Sequence, residues 1–216
     1  SLNPVNQTCL NDQLKALFGC FDIKFIKTGL LPNIEIMESI LKLIPTDATL
    51  ICDPLIASTS GTEIMSLNSI KFFKNEFSKR IDYLTPNLPE AEILSGSKIS
   101  GPELDQLSCF ARKGIFMKGG HSKNPGVDYF FNGQKKWKLT SPELNIKSSH
   151  GTGCRISSGL CAALALGQTS LDSAILAKNY VYHALNNCKK TAQDQWLMSS
   201  PGNIFDLENC VTVEKL

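Results

Sequence analysis

No uninterrupted apolar run in this sequence approaches the roughly 20 residues that cross a bilayer. Charge of one sign is also lacking. The 22 Lys and Arg stand against 20 Asp and Glu, a net +2. That balance gives no electrostatic reason to expect nucleic acid or an anionic membrane as partner. No two cysteines form a CxxC motif, so a zinc site is not expected. Residues 1–8 are polar and lack a basic stretch followed by an apolar one, so no signal peptide is expected there. No repeat, low-complexity tract or linker interrupts the chain, and a single domain over residues 1–216 is expected.

What is present is ordinary globular composition, 42% hydrophobic and 19% charged, at a length that supports a core without covalent staples. There are eight cysteines. Cys52 and Cys161 lie inside apolar stretches, where free cysteine behaves as a small hydrophobe. Reduced thiols in a reducing compartment are therefore expected, and a cytoplasmic location with them.

Short apolar runs alternate with amphipathic stretches. Strands are expected at 23–27, 48–52, 83–85 and 114–118, with a hairpin of 127–131 and 136–139 around the turn Asn132-Gly133. Helices are expected at 34–41 behind an Asn33 cap, and at 67–80, 89–94, 102–112, 153–166 and 171–189. Strands alternating with helices indicate an α/β fold with a mainly parallel sheet, in which ligands sit beyond the carboxyl ends of the strands. The residues able to carry chemistry cluster at those ends.

In His150-Gly151-Thr152-Gly153-Cys154 two glycines flank a threonine just ahead of a helix. Converging backbone amides and the positive end of the helix dipole make an anion site there, and the same dipole is expected to favour a Cys154 thiolate. The plain alternative is a helix-entry turn with a buried cysteine. In Thr85-Pro86-Asn87-Leu88-Pro89-Glu90, Asn87 and Glu90 can face one point and suit magnesium, or can simply form a capping box. Lys118-Gly119-Gly120-His121 can aim an ammonium at a phosphate, or can be only a turn. Asp53, before Pro54 at a strand end, can hold a metal-bound water, or can start an Asx turn.

Taken in order along one α/β chain, these strings closely resemble hydroxymethylpyrimidine/phosphomethylpyrimidine kinase, a family of thiamine biosynthesis within the ribokinase superfamily. The similarity extends upstream to Lys27-Thr28-Gly29-Leu30-Leu31 and covers nearly the whole chain. It implies a ribokinase-like, three-layer Rossmann-like fold and ATP-dependent phosphorylation of 4-amino-5-hydroxymethyl-2-methylpyrimidine and its monophosphate. By the same resemblance Gly151, Thr152 and Gly153 form the anion hole and Cys154 is the base facing the substrate hydroxymethyl. Lys118, Gly120, Asn87 and Thr152 meet the nucleotide, Asp53 and Glu90 organise Mg2+, and Val5, Leu30 and Leu55 line the substrate. A homodimer is implied as well.

Two departures accompany the resemblance. The family opens with a strand and a Gly/Ser/Asp-rich substrate loop that this chain lacks, and Val5 stands where the family has a ring-binding glutamine. The family's longer connection is also missing between Thr8 and Cys9, where omitted residues and a break in the chain are expected rather than a true deletion. Val5 keeps a pyridoxal kinase open as the alternative, and loss of the first unit keeps open a non-catalytic ligand-binding relative.

Overall fold

Four short apolar strands, β1 (Phe25–Thr28), β2 (Thr49–Cys52), β3 (Tyr83–Leu84) and β4 (Gly114–Met117), pair in parallel and in that order. They belong to a computed structural model that describes residues 3–56, 64–99, 102–119, 126–144, 151–190 and 196–216. The sheet continues antiparallel through β5 (Val127–Phe131) and β6 (Lys136–Thr140). A small ribbon of β7 (Lys189–Lys190) and β8 (Trp196–Leu197) stands apart, and β9 (Thr212–Lys215) closes the sheet on β6. Five of the seven strands in the main sheet, β1 to β4 and β6, point the same way.

The helices are α1 (Gln7–Cys20), α2 (Ile34–Leu43), α3 (Leu67–Asn75), α4 (Leu88–Ser95), α5 (Thr152–Ala165) and α6 (Ser170–Asn186). Because successive side chains on a strand point to opposite faces, both faces of an all-apolar strand need a cover. Leu50, Cys52, Leu84, Ile115 and Met117 pack with Met37, Phe73 and Leu94 from α2, α3 and α4. Their neighbours Ile51, Tyr83 and Phe116 pack with Ile156, Leu160, Ala177 and Val181 from α5 and α6. The result is three layers, helices on each side of the sheet. Each fully buried Leu or Phe contributes about 1.5–3 kcal/mol to this core. Gly159 lets α5 and α6 approach closely: a Cβ there would lie 3.3 Å from Ala177 Cα.

The strands, the hairpin and the helices starting at Asn33 and Asn87 match expectation to within a residue or two. The Asn33 side chain accepts from the Ile36 amide at 3.0 Å. Residues 102–112 depart from it. They form a 3₁₀ helix, Leu104–Phe110, because the buried side chains Leu104, Leu107 and Phe110 recur every third residue, the period of 3₁₀ geometry. The expected helix 67–80 divides at Glu76 into α3 and a 3₁₀ turn, Phe77–Arg80. Likewise α6 stops at Asn186, and Lys189 joins β7. Helix α1 was not expected. Asn6 caps it by accepting from the Cys9 amide at 2.7 Å, and the helix runs unbroken through Thr8 and Cys9. The expected break is absent there.

Away from the carboxyl ends, the buried Asp82 ties the amino end of β3 together. It accepts from the Leu50 amide at 2.9 Å and from Arg112 at 3.0 Å, with Arg80 at 3.3 Å and Lys113 at 3.2 Å. Asp82→Ala leaves a buried amide unpaired and removes charge-assisted bonds, and should cost roughly 2–4 kcal/mol of unfolding stability. Since the site lies at the other end of the strand, kcat and KM of the folded fraction should stay unchanged. Denaturant titration alongside kinetics checks both parts.

Candidate active site

Three adjacent parallel strands each deliver one residue just past the carboxyl end. Asp53 follows β2, and its amide donates to Thr28 O at 3.0 Å. Asn87 follows β3 and caps α4. Lys118 follows β4, its amide donating to Pro86 O at 2.8 Å and its backbone bridging in parallel to Asn87. The Lys118 ammonium lies between two carboxylates. Its Nζ lies 2.5 Å from Asp53 Oδ1 and 3.6 Å from Glu90 Oε2. All three side chains are buried, Asp53 completely.

Helix α5 brings the fourth wall. Gly151, at φ 87°, sits in the left-handed region that glycine tolerates and starts the helix with no side chain capping it. Gly153 packs against Lys118: a Cβ there would stand 3.1 Å from Nζ. One turn on, Ser157 Oγ lies 3.5 Å from Asp53 Oδ2 and donates to Cys154 O at 3.0 Å. The amino end of α5 therefore faces the Asp53–Lys118 pair, which places Gly151, Thr152, Gly153 and Cys154 around one corner of the site.

At Asn87 and Glu90 the structure shows the capping box. Asn87 Oδ1 accepts from the Glu90 amide at 2.8 Å, and Glu90 Oε2 accepts from the Asn87 amide at 2.8 Å, a full capping box. That uses one carboxylate oxygen. The other, Oε1, is buried with no partner among the described residues. Burial pushes the Glu90 carboxyl up to about 7, against the opposing pull of Lys118. An orphaned oxygen beside a second carboxylate suits a hard divalent cation that keeps most of its waters.

Cys154 corrects an expectation. Partial burial, followed by the Asp53 carboxylate, pushes its thiol up, and Lys27 and Lys118 offset this only in part. The thiolate expected from the helix start is therefore not favoured at this sulfur. The group present near neutrality is thus the thiol. All eight cysteines are free, and Cys52 is an inert core thiol pushed up to about 12 by burial.

Of the expected substrate positions, Leu55 lies beside Gly29, 3.8 Å from where its Cβ would be. Leu30 is partly exposed next to it. Val5 is half exposed ahead of α1, and no described contact joins it to the Asp53–Lys118 cluster. Gly120, His121 and His150 fall outside the described residues. Sequence reasoning missed four residues. Ser157 lies three positions, about one helical turn, after Cys154. Half-buried Lys27, in a string already singled out, acts on Cys154, Cys52 and Cys161 through its charge. Asp128 and Lys178 form a buried pair, and their signal was a charge set among apolar neighbours.

A three-layer α/β fold with a glycine-led helix start facing an acid–lysine cluster beyond its parallel strands defines a ribokinase-like phosphotransferase. The fold agrees with the pyridoxal kinase of Staphylococcus aureus in complex with ADP, at TM-score 0.82 and 22% identity over 100% of this chain and 81% of that one. The model of the family described as phosphomethylpyrimidine kinase matches residues 1–198, and the chain belongs to that family. It is 33% identical to the hydroxymethylpyrimidine/phosphomethylpyrimidine kinase of Aquifex aeolicus, over 90% of this chain and 80% of the relative. The phosphomethylpyrimidine kinase of Clostridium difficile has TM-score 0.67 and 26% identity, covering 85% of this chain and 78% of that one. No helix among the described residues is long and apolar enough to cross a membrane.

Proposed function

We propose that the protein transfers the terminal phosphoryl group of ATP to the hydroxymethyl group of 4-amino-5-hydroxymethyl-2-methylpyrimidine, and then to the resulting monophosphate, as a cytoplasmic homodimer. The observation that carries this reading is the Lys118 ammonium, held by Asp53 and Glu90 and pressed against the start of α5 at Gly153. Phosphoryl transfer needs positioning and charge stabilisation more than covalent help. The hydroxyl oxygen forms a bond to the terminal phosphorus, the bond to the ADP oxygen breaks, and the hydroxyl proton leaves to a nearby acceptor. Lys118 and the amides at the start of α5 face the charge carried by the transferring group. Cys154 and Asp53 border the point where the proton departs.

Magnesium, when bound, neutralises phosphate charge. Asp53 and Glu90 would hold it, in part through water, and the unpartnered Glu90 Oε1 fits that duty. Lys118 supplies positive charge beside the same two carboxylates.

Purified protein given ATP and magnesium should form ADP with hydroxymethylpyrimidine and with its monophosphate, and do so faster than with pyridoxal. Preference for pyridoxal would assign the alternative ring, and binding of either ring without ADP formation would assign a non-catalytic relative.

Glu90 adds a pH signature. Its folded value of about 7 lies above the ordinary 4.5, so between those limits the folded state holds the proton more tightly than the unfolded state. This group's stabilising contribution is then full at the acid end, falls as pH rises through that window, and is flat above about 7. Glu90→Gln should remove that slope and leave the unfolding midpoint at pH 8 equal to or above the parent's. Turnover should fall because the metal site loses a charge. Melts at pH 5 and 8 with parallel kinetics test this, and equal losses of stability and activity would leave only the capping role.

A further inference from the structure

The buried pair of Asp128 and Lys178 lies outside the machinery described so far. Asp128 on β5 is 7% exposed and Lys178 on α6 is 4% exposed. Lys178 Nζ donates to Asp128 Oδ2 at 2.6 Å, and Asp128 Oδ1 accepts from the Gly119 amide at 2.6 Å. The carboxylate therefore spends one oxygen on the ammonium and the other on the backbone immediately after Lys118. A Cβ at Gly119 would fall 1.6 Å from Val127 O, so the residue before Asp128 presses on the same peptide. Residues 118–119 are thus held from two sides, by Pro86 O on the Lys118 amide at 2.8 Å and by Asp128 on the Gly119 amide.

A buried ion pair is weak evidence of stabilisation, because desolvation consumes most of its attraction and an apolar pair of similar size often folds as well or better. What an apolar pair could not do is accept the Gly119 hydrogen bond. We infer that Asp128 and Lys178 are positioning residues for nucleotide binding: Lys178 holds the Asp128 carboxylate in place, Asp128 fixes the Gly119 peptide, and that peptide sets where the Lys118 ammonium meets the phosphates. This rests on the reading of Lys118 as a phosphate contact.

Two variants separate positioning from stability, because each is expected to move one readout and largely spare the other. The double variant Asp128→Leu with Lys178→Met removes both charges together. Its unfolding midpoint should stay close to the parent's, because the desolvation relieved by removing the ion pair offsets the Gly119 amide left unpaired, while its dissociation constant for magnesium-ATP, measured by equilibrium titration without acceptor substrate, should rise about 10- to 100-fold, the scale of lost supporting contacts around a site. Asp128→Asn keeps an acceptor for Gly119 but leaves the Lys178 charge unpaired. It should lose stability and keep ATP affinity within a few-fold. The inference is overturned if affinity follows stability in both variants, or if Asp128→Asn alone weakens ATP about tenfold. It falls too if the parent binds no ATP. A parent that binds ATP but phosphorylates no pyrimidine would defeat the proposed reaction and still leave the affinities of the variants to decide the positioning role.

Discussion

Lys118→Met is expected to lower turnover by about 10²–10³-fold, the scale of removing one preorganised group that meets transition-state charge. It should also cost roughly 3–5 kcal/mol of unfolding stability, the scale of leaving a buried charge without its partner. Both effects come from the same ammonium. Asp53 is fully buried and, once Nζ is gone, keeps only the weak partners Ser157, at 3.5 Å, and the Cys154 thiol among the described residues. Glu90 loses the charge that holds its carboxyl down, so it keeps its proton to a still higher pH and the variant should be destabilised more at pH 8 than at pH 5.5. Adding Asp53→Asn to Lys118→Met relieves the uncompensated charge and should restore most of the stability, with turnover still depressed. Melts at the two pH values and ADP formation at saturating ATP read these out. A folded Lys118→Met protein with near-parental turnover would remove Lys118 from catalysis.

Some parts of the site that were legible in the sequence lie within a few residues of one another along the chain. The Asn87–Glu90 capping box is such a case, because a helix start fixes the geometry of both residues locally. The order of Asp53, Asn87 and Lys118 after successive strands was readable for a related reason: parallel strands in sequential order bring their carboxyl ends together. The state of Cys154 was not readable. It depends first on how far packing buries the sulfur and then on Asp53, about a hundred positions earlier, which adds to the upward push on the thiol. The spare oxygen of Glu90 was not readable either, since only packing shows that one of its oxygens is left over among the described residues. The Asp128–Lys178 pair spans fifty positions and has no local pattern to announce it. Helix α1 is different. Its cap, Asn6, and its apolar residues Leu10, Leu14, Leu17 and Phe18 at helical spacing were all present, yet it has no fully buried residue, so its pattern is weaker than those of the core helices.

Cys154→Ala should reduce phosphoryl transfer by about 10²–10⁴-fold if the sulfur accepts the hydroxyl proton, the usual contribution of a positioned base. ATP affinity should change little, because the amides at the start of α5 belong to the backbone. The raised thiol sharpens the test. A thiol that resists ionisation is a scarce base near neutrality and a strong one when formed, so kcat/KM of the parent should climb with pH above neutrality. That rising limb should vanish in Cys154→Ala. Cys154→Ser, whose hydroxyl ionises far less readily, should keep the fold and at most a small part of the rate. Alkylation followed by peptide mass mapping supplies an independent readout. Exposed Cys154 should react before the deeper Cys161, which burial pushes up to about 11, its rate should rise with pH, and bound pyrimidine should protect it. If Cys154→Ala turns over at near-parental rate with its pH profile intact, the proton goes elsewhere. Asp53, the carboxylate whose charge already acts on the sulfur, then becomes the acceptor, and the backbone of residues 151–153 together with Lys118 remains as the main source of transition-state stabilisation.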